Sequence, residues 1–173
     1  MKTVAYYRNS ISKEKQKLSI EMQKDHVKKL ARAKNLLIDE EYSDDETSAR
    51  KTKLTEREQL TRLLHDIEKG KVETLIVYSR CRLARNVHQY MQVYATLKDK
   101  EIEVLFAGDH EFPMLYTEEG ELIERIMAAF NQHEADNLVK KLKDAKRTKA
   151  RKGLHAVGPV LAINQIQIKT VTG

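Results

Sequence analysis

The sequence predicts an α/β protein: a three-layer domain with a mostly parallel central sheet, followed by one long helix. Three observations predict it. Short apolar runs alternate with helical apolar periodicity through residues 1–115. Charged or nucleophilic residues crowd where two of those runs stop. A single uninterrupted periodic stretch then begins beyond Pro113.

Four apolar runs read as strands, at residues 4–7, 36–42, 74–78 and 102–106. Ile20, Met22, Val27, Leu30 and Ala31 fit a first helix. Leu60, Leu63, Leu64 and Ile67 fit a second, with Thr55 and Glu58 spaced as a capping box and Gly70 placed to end it. Val87, Tyr90, Met91, Tyr94 and Leu97 fit a third. Thr117 can cap the long helix, whose first turn carries Glu118 and Glu119 at the positive end of its dipole. Its apolar positions are Leu122, Ile123, Ile126, Met127, Phe130, Leu138, Val139 and Leu142, and neither Pro nor Gly interrupts it after Gly120 until Gly153. Such a helix is about 50 Å long, more than a small domain can cover, and a second copy of the same helix is the simplest cover. The expected organisation is an α/β domain over residues 1–115, a long dimerisation helix over 116–152, and a short tail over 153–173, too short for a further domain.

The 173 residues carry a formal charge of +6, and 34% of them are charged. A basic surplus favours a polyanion, nucleic acid before membrane. No signal-peptide core or membrane span is evident, and a single cysteine excludes an internal disulfide, so the expected location is the cytoplasm. The absence of Trp makes single-strand binding by base stacking a poor fit. No Walker-type loop exists for ATP, and the six histidines show no zinc spacing, so neither cofactor nor metal is expected. No small-molecule substrate is indicated.

The chemistry-bearing segments are Tyr6-Tyr7-Arg8-Asn9-Ser10, after the first strand, and Ser79-Arg80-Cys81-Arg82-Leu83-Ala84-Arg85-Asn86, after the third. In an open parallel sheet, ligands bind at the carboxyl ends of strands. A hydroxyl and several arginines converging there suggest a serine attacking a phosphate. Arg8 and Ser10 alternate on one face of an extended segment. Arg80, Arg82 and Arg85 present planar forks that bind phosphate oxygens in pairs. A blander reading has them paired with Asp44, Asp45 and Glu46. That acidic run could also serve a metal nuclease, but a solvated turn fits it better, since adjacent acids do not share a strand face. Lys140, Lys141, Lys143, Lys146, Arg147, Lys149, Arg151 and Lys152 set eight cations against one acid, suited to DNA backbone contact.

With these residues in order, the chain resembles the catalytic domain of the serine recombinases, the resolvase/invertase group, and more closely its larger transposon and phage members. The resemblance spans residues 1–152. It rests on Tyr6-x-Arg8-x-Ser10, Ser19-Ile20-Glu21-Met22-Gln23, Tyr42-Ser43-Asp44-Asp45, Glu56-Arg57, Val77-Tyr78 followed by Arg82-Leu83-x-Arg85-Asn86, and the basic-ended helix. It implies that Ser10 attacks a phosphodiester of double-stranded DNA, forming a 5′-phosphoserine link without metal or ATP. Arg8, Arg57, Arg82 and Arg85 would surround the phosphate, and Gln23 would support the loop carrying Ser10. Homodimers would pair into a tetramer at synapsis. The family's pattern has Asp where this chain has Cys81, and often Arg where it has Ala135, after Glu134. The alternative is therefore a catalytically silent relative that binds DNA or regulates an active recombinase.

Overall fold

A computed structural model of the chain describes residues 1–9, 20–44, 57–84 and 86–151. Four strands, β1 (Lys2–Arg8), β2 (Glu40–Asp44), β3 (Val72–Val77) and β4 (Glu103–Phe106), form one sheet in the order β2-β1-β3-β4, with every pairing parallel. The intervening helices are α1 (Ile20–Ala33), α2 (Glu58–Glu68), the four-residue α3 (Arg80–Leu83) and α4 (Val87–Asp99), with α5 (Glu118–Arg151) last.

The strand order follows from handedness. Parallel crossovers are right-handed, so the step from β1 out to β2 and the step back across β1 to β3 put their helices on opposite faces. Val4, Tyr6, Leu75, Val77 and Val104 pack on one face with Leu60, Leu63 and Ile67 of α2 and Tyr90, Val93, Tyr94 and Leu97 of α4. Ala5, Tyr7 and Ile76 pack on the other with Val27 and Ala31 of α1. The three layers of the sequence reading are present, and burial on both faces explains why β1 and β3 read as unbroken apolar runs. Each fully buried Leu or Ile in these layers stabilises the fold by roughly 1.5–3 kcal/mol.

Two local expectations shift. The second strand starts at Glu40, not at residue 36, because Leu36 and Ile38 pack beneath α1 on the approach to the sheet. The capping box does not open α2. Arg57 stands at its N-cap without a side-chain cap, and Asp44, from the end of β2, takes the Gln59 and Leu60 amides at 3.0 and 3.1 Å. Thr55 lies outside the described residues. Elsewhere the local signals hold. Gly70 ends α2 with φ +70°, a left-handed conformation that glycine adopts without strain, and Thr117 Oγ1 accepts the Gly120 amide at 3.0 Å.

Compact units meet between Ala135 and Asp136. Within the first unit, α5 buries an unexpected stripe: Gly120, Glu124 and Ala128 face inward, while Leu122, Ile123, Ile126 and Phe130 are exposed, Phe130 at 57%. A Cβ on Gly120 would lie 2.5 Å from the Leu115 side chain, so the small residue lets the helix seat on the loop before it. In the second unit, the helical segment 136–151 is strongly basic. No described helix is long and apolar enough to cross a membrane.

Candidate active site

The strand order reverses direction at β1, whose neighbours β2 and β3 lie on opposite sides, and a crevice at the carboxyl end of such a switch point is where open α/β sheets bind ligands. Arg8 ends β1 there, and α3 follows β3 there. Arg57 arrives from the N-terminus of α2, and Gln23 from the first turn of α1.

These residues make one interlocked cluster around α3. Arg8 donates from Nη2 to the Cys81 carbonyl. Arg57, only 3% exposed, donates from Nη1 to the Leu83 carbonyl at 2.5 Å. From Nη2 it donates to the Arg82 carbonyl at 2.9 Å and to Tyr6 Oη at 2.5 Å. The carbonyls leaving a short helix carry partial negative charge, and cations favour that end. Gln23 clamps the peptide of Arg8, donating from Nε2 to its carbonyl at 3.1 Å and accepting its amide at 3.4 Å. Arg82 Nη1 reaches the same carbonyl at 3.4 Å.

The charge balance of this cluster is lopsided. The carboxylate nearest Arg57 is Asp44, with Oδ2 at 4.0 Å from Nε, and that oxygen already accepts from Tyr6 Oη at 2.8 Å. Burial pushes the Tyr6 hydroxyl well above its ordinary pKa, which Arg57 opposes and Asp44 reinforces, so Tyr6 remains a donor. Arg57 Nε and Arg82 Nε are buried with no hydrogen-bond acceptor among the described residues. Arg57 thus hydrogen-bonds only neutral oxygens and has its carboxylate at 4.0 Å, a weak compensation for a buried guanidinium, which gains from a closer anion. Cys81 is half-buried, with Sγ 3.2 Å from Ser79 Oγ.

Arg80 corrects the sequence reading. It does not point outward, and Asp44 is not its partner; Asp45 and Glu46 lie outside the described residues. Its side chain turns into the protein, 1% exposed, and pairs with Glu111 and with Glu124 at 2.8 Å. Burial works against its charge, but the two carboxylates outweigh that and hold its pKa above the ordinary Arg value. Ser10, Arg85, Asp45 and Lys152 lie outside the described residues. Lys140, Lys141, Lys146, Arg147 and Arg151 are helical and exposed; Lys149 is helical. No group of His, Cys, Asp or Glu among the described residues is arranged to hold a metal ion. Sequence reasoning missed Glu111 and Glu124 as partners; the signal available was a lone acid on the small-residue stripe Gly120, Glu124, Ala128, since a buried acid needs a cation.

A doubly covered parallel sheet with guanidiniums gathered at its switch point is an arrangement that can accept an anion there. Residues 3–155 match the family model described as the Resolvase, N terminal domain, and the chain belongs to that family. Among solved structures, it is similar to the N-terminal catalytic domain of TP901-1 integrase, at 27% identity and TM-score 0.56, covering 78% of this chain and 98% of that one. Two further structures share the fold. A resolvase family site-specific recombinase from Streptococcus pneumoniae has 24% identity and TM-score 0.58 over 87% of this chain and 99% of its own. The C-terminal catalytic domain of ISC1926 TnpA, an IS607-like serine recombinase, has 18% identity and TM-score 0.52 over 83% and 99%. No curated protein sequence matches the chain.

Proposed function

We propose that this protein is a site-specific serine recombinase that cuts and rejoins double-stranded DNA through a 5′-phosphoserine link at Ser10. The observation that carries the reading is the weakly compensated arginine cluster at the switch point, where Arg57 Nε and Arg82 Nε are buried with no hydrogen-bond acceptor among the described residues. Phosphoryl transfer needs chiefly positioning and charge stabilisation of the equatorial oxygens, which guanidinium groups supply. Ser10 Oγ attacks the phosphorus, the O3′–P bond breaks, and the leaving 3′ oxygen takes up a proton. Reversal by a 3′ hydroxyl restores the diester, so the energy of the broken bond is retained in the ester and no ATP is consumed. Arg8, Arg57, Arg82 and Arg85 surround the phosphate, and Arg57 also holds the carbonyl edge of α3 in place beside it. Gln23 fixes the peptide of Arg8, two residues before the nucleophile.

The exposed stripe Leu122, Ile123, Ile126 and Phe130 supports a homodimer through α5, with four subunits at synapsis. The cations from Lys140 to Lys152 run along the DNA backbone. The alternative, a silent relative that binds DNA or regulates an active recombinase, is favoured by Cys81, which puts a cysteine where the family pattern has an aspartate.

The test is a recombination assay with the full chain fused to a DNA-binding domain of known specificity, on supercoiled plasmid bearing paired sites. Recombinant product is expected with and without EDTA, and none with Ser10→Ala. Cut plasmid without recombinant product, lost in EDTA and retained with Ser10→Ala, would indicate a metal nuclease using Asp44 and Asp45. DNA binding without product in any form would indicate the silent relative.

A further inference from the structure

We infer that Arg80 is a positioning residue that fixes the placement of Arg82 by tying α3 to the root of α5. The inference rests on the reading of Arg82 as a phosphate ligand, and deepens it by naming what sets that ligand's geometry.

Arg80 opens α3, and its guanidinium gathers three other segments. Nε and Nη2 donate to the two oxygens of Glu124 on α5, both at 2.8 Å, a bidentate fork. Nη1 donates to Glu111, and Nη2 also reaches the Phe112 carbonyl at 2.8 Å, both in the loop before α5. The face of the group lies 4.3 Å from the centroid of the Phe106 ring, at the end of β4. Glu124 in turn accepts from Tyr90 Oη of α4 at 2.6 Å. The Arg80 amide donates to Glu111 Oε1 at 3.1 Å, so the same carboxylate holds both main chain and side chain at the start of α3.

Such a cluster is a poor device for stability alone. Buried ion pairs are costly to desolvate, and apolar residues of equal volume often serve as well. What a planar, bidentate fork supplies is direction: it admits one orientation of Arg80 relative to Glu124. Since α3 is only four residues long, fixing its first residue fixes the carbonyls of Cys81, Arg82 and Leu83 that Arg8 and Arg57 grasp. Glu124 lies among the exposed Leu122, Ile123 and Ile126 along the chain, on the opposite side of the helix. A displacement of α5 caused by a partner on that stripe is therefore passed through Glu124 and Arg80 to Arg82.

The test uses Arg80→Lys, which keeps the charge and loses the fork; Glu124→Gln, which keeps the shape; and Tyr90→Phe, which removes one hydroxyl. Ile67→Val serves as a core control matched for lost stability. The first readout needs no DNA: the side-chain Nε–H resonance of Arg82 and the hydrogen exchange of residues 80–84, by NMR of the full chain. Both should change in Arg80→Lys and Glu124→Gln, less in Tyr90→Phe, and not in Ile67→Val. The second is single-turnover cleavage by the fused chain at saturating protein. It should slow roughly 10–100-fold in Arg80→Lys and Glu124→Gln with DNA affinity unchanged, as expected for misplacement by about an ångström. An Arg82 resonance unmoved in all three folded variants overturns the inference. If Arg80→Lys does not fold, Glu124→Gln and Tyr90→Phe decide. Altered Arg82 resonances in a chain that never cleaves DNA would uphold the positioning role while removing the recombinase reading.

Discussion

On one side of α3, each nitrogen of the Arg80 guanidinium donates to an acceptor, and two of its partners are carboxylates. On the other side, Arg57 and Arg82 donate to carbonyl and phenol oxygens, the carboxylate near Arg57, Asp44, stands 4.0 Å from its Nε, and neither Nε has a hydrogen-bond acceptor among the described residues. Residues two apart in sequence thus sit in opposite electrostatic settings. The saturated arginine has nothing left to offer a ligand and is structural. The undersaturated ones hold their charge at a local cost that an incoming anion relieves. An arginine's role follows from the acceptors around it, not from its place in a motif.

Substitutions on the two sides should therefore separate activity from stability. Arg82→Lys is expected to lower DNA cleavage by a factor on the order of 10²–10³, because one ammonium cannot reproduce paired phosphate contact. Its thermal stability should barely move, since the one described hydrogen bond of its side chain is 3.4 Å long. Arg80→Met reverses the pattern in denaturant unfolding, losing about 3–5 kcal/mol by leaving Glu124 buried and unpaired. Equal stability losses at both positions would erase the distinction. Further from α3, Lys146 is exposed on α5. Lys146→Ala should weaken DNA binding modestly and reduce the slope of log affinity against log salt by about 0.9, measured by anisotropy titration. A loss of cleavage as large as that of Arg82→Lys would mean that α3 is merely an electrostatic patch.

The smallest expected effect concerns an acid that is well supplied with donors. Lys71 Nζ and Tyr42 Oη donate to Asp66 at 2.7 and 2.9 Å, and these bonds hold its carboxyl below the ordinary Asp value. A carboxylate with a depressed pKa stabilises the fold above its unfolded pKa and loses that contribution as pH falls through the folded one. Asp66→Asn should therefore be less stable than the parent at neutral pH. The gap should close only as the pH falls below about 3.9. A gap independent of pH would assign the loss to shape rather than charge.

The sheet was largely legible in the sequence because both of its faces are buried. Residues 4–7, 74–78 and 102–106 announce their strands by unbroken apolar runs, whereas β2 is mostly polar, Glu40-Glu41-Tyr42-Ser43-Asp44, and its start was misplaced. The site was legible in outline. Arg8, Gln23, Arg57, Cys81 and Arg82 do converge around α3. What could not be read was direction. Helical geometry turns Arg80 and Arg82 about 200° apart, and α3 is too short to show periodicity. The carboxylates that claim Arg80 lie 31 and 44 residues further along the chain, a pairing that only tertiary structure reveals. The apolar stripe of α5 was legible, and its Leu122, Ile123, Ile126 and Phe130 are exposed, but the inward stripe was not, since Gly120, Glu124 and Ala128 carry little hydrophobic signal.

The most direct measurement is recovery of the covalent intermediate. The fused full chain would be incubated with supercoiled plasmid, quenched in denaturant, digested and analysed by mass spectrometry, with Cys81→Asp in parallel. The expected result is a nucleotide joined by a 5′ phosphate to the peptide containing Ser10, in the native sequence and in Cys81→Asp. DNA-bound protein with no adduct on Ser10 in either would contradict the claim that the arginines around α3 hold a phosphate for this serine.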